Sequence, residues 1–141
     1  MRISVVIPAF NEARWLPLTL TRLAEAARQY PASVEVIVVD NASDDATADV
    51  ARAAGATVIQ ETEHNVGLVR NRGAAAATGE VFVFLDADTL VPAHFLRRVA
   101  QAMAVRDCLG GTAAVAYRPA SPVMRTYLAG WRIVGSPAVP R

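Results

Sequence analysis

Asp86-Ala87-Asp88 carries more chemistry than any other stretch of this sequence. It follows the apolar run Val81 to Leu85, which reads as a strand, and residues i and i+2 of an extended chain project to one side. Two carboxylates brought together in this way repel by about 4 kcal/mol at roughly 4 Å, for an effective dielectric of about 20. A divalent cation removes that cost. All-oxygen ligation suits Mg or Mn, which commonly bind through one or two carboxylates plus phosphate oxygens. An ion held there would neutralise a departing diphosphate. The plainer reading of the same residues is a cap and turn before a helix whose first turn contains Pro92.

Two further polar clusters also follow apolar runs. Pro8-Ala9-Phe10-Asn11-Glu12 comes after Ile3 to Ile7, and Asp40-Asn41-Ala42-Ser43-Asp44-Asp45 comes after Val34 to Val39. Asn11 and Glu12 read equally well as caps for the helix beginning near Trp15. Asp40 stands at the tip of a buried run, where a charge needs a partner; a nucleobase or ribose donor would serve. Arg70 and Arg72 flank Asn71 after Asn65-Val66-Gly67. Arg forks match phosphate oxygens, but residues i and i+2 of a helix point apart, so only one of this pair is expected at a ligand.

The elements that must position these residues alternate along the chain. Ile3 to Ile7, stopped by Pro8, Val34 to Val39, Thr57 to Gln60 and Val81 to Leu85 read as strands, with Thr112 to Tyr117 as a fifth. Helices are expected from Trp15 to Arg28, from Ser43-Asp44-Asp45 to Ala54 with Gly55 as the stop, and around Ala74 to Ala77, ending near Gly79. One more begins at Pro92 and carries Phe95, Val99 and Met103 as its buried stripe. Short apolar strands separated by helices predict a mainly parallel sheet covered on both faces. All carboxyl ends of such a sheet share one edge, and ligands of open α/β folds bind there. The three clusters are therefore expected to meet at one rim.

Composition narrows the remaining possibilities. The 141 residues, 53% hydrophobic and 19% charged, suit one globular domain over 1–141. Its net charge of +1 gives no case for a nucleic-acid partner. Cys108 is the only cysteine, so an intrachain disulfide is impossible and a packing role is expected. His64 and His94 lack metal-ligand spacing and are expected on the surface. Trp15 and Trp131 are expected in the core or at an interface. No apolar run approaches the ~20 residues of a membrane span, which makes the cytoplasm the default location. Residues 119–141 read as an irregular or helical tail, and its apolar part, Tyr127 to Val134, suits self-association or contact with the inner face of a membrane.

Four blocks in order resemble family 2 glycosyltransferases. They are Ile3-Ser4-Val5-Val6-Ile7-Pro8-Ala9-Phe10-Asn11-Glu12, then Glu35 to Asp45 with Thr47, then Asn65-Val66-Gly67 with Arg70-Asn71-Arg72-Gly73 and Gly79-Glu80, and finally Phe84-Leu85-Asp86-Ala87-Asp88. The resemblance covers about residues 3 to 100. It implies the Rossmann-like GT-A fold, with a donor-binding part over about 1–118, and sugar transfer from a UDP- or GDP-linked donor to an acceptor hydroxyl with inversion. It further implies that Pro8, Ala9, Glu12 and Asp40, with Asn11 and Ser43 beside them, hold the base and ribose. Arg70, Asp86 and Ala87 would line the donor, and Asp88, with Asp86, would hold the cation. The sequence departs from the family where a general base is expected, since Asp107 is the only acid after Asp88. It is also short for a family domain, and the Gly67-to-Arg70 spacing is tight, so a donor-binding remnant is the competing expectation. Other nucleotide-binding α/β classes fit poorly. Pro8 to Glu12 contains no glycine, and the phosphate-binding Gly-x4-Gly-Lys-Ser/Thr loop is impossible in a chain whose 14 basic residues are all Arg.

Overall fold

The computed structural model describes residues 1–113, of which Met1–Gly110 form one compact unit. The elements alternate as β1 (Ile3–Ala9), α1 (Leu16–Arg28), β2 (Val34–Asp40), α2 (Thr47–Ala53), β3 (Thr57–Gln60), α3 (Val66–Ala76), β4 (Val81–Phe84) and α4 (Phe95–Met103). The strands form a parallel sheet in the order β3-β2-β1-β4. This is the mainly parallel, doubly covered sheet that the alternation predicts.

Apolar burial on both faces explains why the strands read as continuous hydrophobic runs. On one face Ile3, Val5, Ile7 and Ala9 of β1 pack with Leu16, Leu20 and Leu23 of α1, Ala51 of α2 and Leu96 of α4. On the other, Val6, Ile37 and Val39 pack against Val69 of α3. At Gly73 α3 comes too close to the sheet for a side chain to fit without a shift. A Cβ on Gly73 would stand 2.2 Å from Val6 Cγ1 and 3.0 Å from Val39 Cγ2. The chain lays β1, β2 and β3 outward in one direction, and α3 then carries it back across the opposite face to place β4 on the far side of β1. The order thus reverses between β1 and β4, where an open α/β sheet forms its crevice.

Several boundaries differ from the sequence expectation. β1 runs through Pro8 to Ala9 because the ladder to β4 ends at Val6↔Phe84, with the Leu85 N–H on the Val6 carbonyl. Pro8 lies two residues beyond Val6 and faces the same, now open, side, so its missing N–H costs no ladder bond. α2 begins at Thr47 and not at Ser43-Asp44-Asp45, although Asp45 Oδ1 accepts the Thr47 N–H at 2.9 Å. Gly55, at φ 81, ends this helix as expected.

Asn65-Val66-Gly67 is the start of α3 itself, with Asn65 Oδ1 accepting the Leu68 N–H at 3.2 Å, and α3 stops at Ala76, short of Gly79. Pro92 precedes α4, its carbonyl accepting the Phe95 N–H, and Leu96 is the helix's fully buried residue, with Phe95, Val99 and Met103 packed partly buried beside it. Trp15 is exposed, its ring under the Arg14 guanidinium at 4.8 Å, and is not a core residue. Thr112 and Ala113 are not in a strand; the rest of the expected fifth strand, Trp131 and the 119–141 tail lie outside the described residues. No helix among the described residues is long and apolar enough to cross a membrane.

Candidate functional site

Parallel strands deliver every loop that follows them to one rim, and the loops after β1, β2, β3 and β4 all carry polar residues there. Asp40 closes β2 and is 3% exposed. Its Oδ2 accepts from Gln60 Nε2 at 2.9 Å and its Oδ1 from the Ser43 N–H at 3.3 Å. Neither partner is a cation, and each carboxylate oxygen keeps acceptor capacity for a further donor. Asn41 beside it uses Nδ2 to bind the carbonyls of Glu61 and Glu63, tying the loop after β3 to the tip of β2.

The β4 loop keeps the strand's alternation. Asp86 and Asp88 are exposed, whereas Ala87 turns into the core and its carbonyl accepts the buried Thr19 hydroxyl at 2.7 Å. Ala87 therefore anchors the loop from beneath, and the segment is a turn, with the Thr89 N–H on the Asp86 carbonyl at 3.0 Å, and not the extended chain the sequence suggested. Asp86 Oδ1 pairs with Arg70 Nη2 at 3.1 Å. Arg70 Nε is buried and has no partner among the described residues, while the side chain as a whole is 42% exposed, so a ligand would meet its solvent-facing part. Arg72 turns the other way, its Nε on the buried carboxylate of Glu61 at 2.9 Å. The two arginines diverge as their spacing requires.

Glu12 links the loops electrostatically. Partial burial, then the negative charge of Asp88, then that of Asp45 raise its carboxyl above the usual range. The loop after β1 thus feels carboxylates from the loops after β4 and β2. Pro8 is half-buried at the end of β1, and Ala9 is in the core with its carbonyl accepting the Asn41 N–H at 2.8 Å. Asn11 and Ser43 bind one another's loops, with the Asn11 N–H on Ser43 Oγ at 2.9 Å and the Asp44 N–H on Asn11 Oδ1 at 2.8 Å.

Whether these residues suit a divalent cation depends on what surrounds Asp88. No group of three or more His, Cys, Asp or Glu side chains among the described residues could enclose an ion. Arg70 already offsets the charge of Asp86, whereas Asp88, whose charge reaches Glu12, has no salt bridge among the described residues. One or two carboxylates with uncompensated charge at an open rim match an ion that takes its other ligands from phosphate and water.

Sequence reasoning missed several members of the rim. Phe10 is 48% exposed and meets His64 edge to face, with ring centroids 5.1 Å apart. Gln60, Glu61 and Thr47 are also structural parts of the site. The available signals were an exposed aromatic inside the first polar cluster and a charged residue directly after the short strand Thr57–Gln60.

The fold and rim define an open, parallel α/β protein with acidic residues gathered at its strand-order reversal. The sequence profile of "Glycosyl transferase family 2" matches residues 4–132, and the chain belongs to that family. It is 34% identical over 110 residues to undecaprenyl-phosphate 4-deoxy-4-formamido-L-arabinose transferase of Aeromonas hydrophila, covering 71% of this chain and 33% of the relative. It is 36% identical over 116 residues to 4,4'-diaponeurosporenoate glycosyltransferase of Staphylococcus haemolyticus, covering 77% and 30%. Among solved structures, a mannosyltransferase from Pyrobaculum calidifontis in complex with GDP-Man and Mn2+ matches with a TM-score of 0.68 and 30% identity, over 74% of this chain and 32% of that one. S. aureus TarS 1-349 in complex with UDP-GlcNAc matches with a TM-score of 0.65 and 28% identity, over 73% and 31%. The fold is the GT-A arrangement, and the chain spans about a third of the length of these relatives.

Proposed function

We propose that the rim binds a UDP- or GDP-linked sugar together with Mg or Mn, and that it serves inverting transfer of the sugar to an acceptor hydroxyl. The observation that carries this reading is the delivery of Glu12, Asp86 and Asp88 to the rim beside the β1–β4 reversal, with Arg70 paired to Asp86 and Asp40 at the tip of β2 on the same rim. The GDP-Man, UDP-GlcNAc and Mn2+ of the structural neighbours support it.

In this reading Pro8, Ala9 and Glu12 border the base and ribose. Asp40 accepts a hydrogen bond from them through the capacity that Gln60 and Ser43 leave free. The solvent-facing part of the Arg70 guanidinium meets a diphosphate oxygen, a charge-assisted bond. Asp88, with Asp86 beside it, holds the cation, which when bound supplies Lewis-acid neutralisation of the departing diphosphate. Transfer breaks the bond from the anomeric carbon to the diphosphate and forms one to the acceptor oxygen, whose proton needs a base. Asp107 is the only acid of the sequence beyond Asp88, and it sits at φ 66 in the turn after α4. That favours a second reading, in which these residues hold the donor and do not by themselves transfer it. Action at the inner face of a membrane belongs to this reading, and the undecaprenyl-phosphate in the name of one relative supports the membrane part of it.

Calorimetric titration of UDP and GDP, with and without Mn2+, tests the proposal, and a transfer and hydrolysis assay separates the two readings. Binding strengthened by Mn2+ is expected for at least one nucleotide. Absence of binding by both in the presence of Mn2+ would refute the proposal, and binding without turnover assigns the chain to donor holding alone.

A further inference from the structure

Three successive backbone N–H groups after β1 all end on side chains of the loop after β2 and of Thr47, the first residue of α2. Asn11 donates to Ser43 Oγ at 2.9 Å, Glu12 to Thr47 Oγ1 at 2.8 Å and Ala13 to Asp45 Oδ2 at 3.1 Å. The acceptors are alternate residues of the chain. Thr47 is fully buried, and its hydroxyl donates to Asp45 Oδ1 while accepting from Glu12. Asp45 Oδ1 also accepts the Thr47 N–H, so one exposed carboxylate braces both the helix start and the neighbouring loop. The reciprocal bond from the Asp44 N–H to Asn11 Oδ1 holds Asn11 in the left-handed region at φ 55, which Asn tolerates better than most residues.

Glu12 is the residue held most completely. Its N–H is on Thr47, and its carbonyl accepts from both Trp15 and Leu16, at 3.0 and 2.9 Å. With its backbone fixed on both sides, its side chain is presented where the charges of Asp88 and Asp45 reach it. Runs of successive amides in a loop usually make an anion cradle. Here that run is closed by side chains.

We propose that Ser43, Asp45 and Thr47 are positioning residues that clamp the Asn11–Ala13 backbone, fix Glu12 at the rim and close those amides to phosphate. The clamp stands on the hydrogen bonds alone, whereas its effect on donor binding rests on the proposed function.

The test uses the full chain with Thr47→Val, Thr47→Ser and Asp45→Ala, read by amide hydrogen exchange at residues 11–13 and by calorimetric titration of UDP and GDP with Mn2+. Thr47→Val and Asp45→Ala are expected to speed exchange at these amides. They are also expected to weaken nucleotide binding by about 3- to 10-fold, the equivalent of one net hydrogen bond, with Thr47→Ser recovering most of both. Exchange at 11–13 unchanged in both disruptive variants overturns the clamp, and faster exchange with unchanged affinity overturns its role in positioning. Should Thr47→Val fail to fold, Asp45→Ala, at an exposed side chain, decides. A wild-type chain that binds neither nucleotide refutes the proposed function and the donor half of this inference, while exchange still judges the clamp.

Discussion

Asp40→Asn separates the structural work of this buried carboxylate from its work on a ligand. In the folded chain each carboxylate oxygen has one protein partner, the Ser43 N–H and Gln60 Nε2. An asparagine keeps one oxygen for Ser43, and its amide then faces Gln60. Gln60 can turn its own amide to present oxygen, so no donor is left facing a donor. The cost to folding is the difference between a charged and a neutral acceptor, about 1 kcal/mol. A ligand ring N–H has no such remedy where the oxygen it would use has become an amide nitrogen, and a ligand hydroxyl, which can turn to accept, still loses its bond to a charged acceptor. Losing a hydrogen bond to a charged group costs about 1.5–3 kcal/mol, or about 10- to 100-fold in Kd. The expected result is a Tm within a few degrees of the wild type together with a Kd for UDP or GDP, in Mn2+, raised at least about tenfold. A variant that folds and keeps the parent's nucleotide affinity would refute the assignment of Asp40 to the donor.

Other substitutions probe separate parts of the structure. Asp88→Ala is expected to reduce nucleotide affinity in Mn2+ to the metal-free value, and calorimetry that still shows the full Mn2+ response would count against Asp88 as the ligand. Gly73→Ala puts a methyl 2.2 Å from Val6 Cγ1, and overpacking of this kind costs about 1–3 kcal/mol or more. Thermal denaturation should show Tm lower by about 5 °C or more; an unchanged Tm would mean that α3 does not lie this close to the sheet. Glu35 is held below its ordinary range by the Ser4 hydroxyl first and the Thr78 N–H next, against a smaller opposing effect of burial. Its contribution is therefore present above the ordinary carboxylate range and lost as pH falls through the lowered value. Glu35→Gln should lower Tm at neutral pH and flatten the acid side of the Tm–pH curve, and an equally steep acid side would show that the depression is absent.

The strands were legible because burial on both faces forces apolar residues at successive positions, as in Val36 to Val39. The convergence of the polar clusters then followed from parallel topology. What the sequence hid was the destination of each polar side chain. Ser43-Asp44-Asp45 has the composition of a helix cap, and the same oxygens can equally accept amides from another loop. Asp45 does both, for Thr47 and for Ala13. The Glu61–Arg72 pair and the Phe10–His64 contact join residues whose proximity exists only once α3 and the loop after β3 are placed. Pro8 misled as a strand end because a proline ends a strand only where its N–H is needed by a neighbour, and the neighbour on that side had already stopped.

One helix couples the architecture to the electrostatics of the crevice. α3 must cross the face of β1 for β4 to lie beside it, and Gly73 allows that crossing to be close. The helix runs back against the strand direction, so residues earlier in it lie nearer the carboxyl rim. Arg70, one turn before Gly73, therefore reaches the rim on the sheet-facing side and meets Asp86 there, while Arg72 turns away to Glu61. The contact that sets the strand order thus also sets which arginine stands beside the paired carboxylates. Packing at Val6 and charge at Asp86 are consequences of the same helix position.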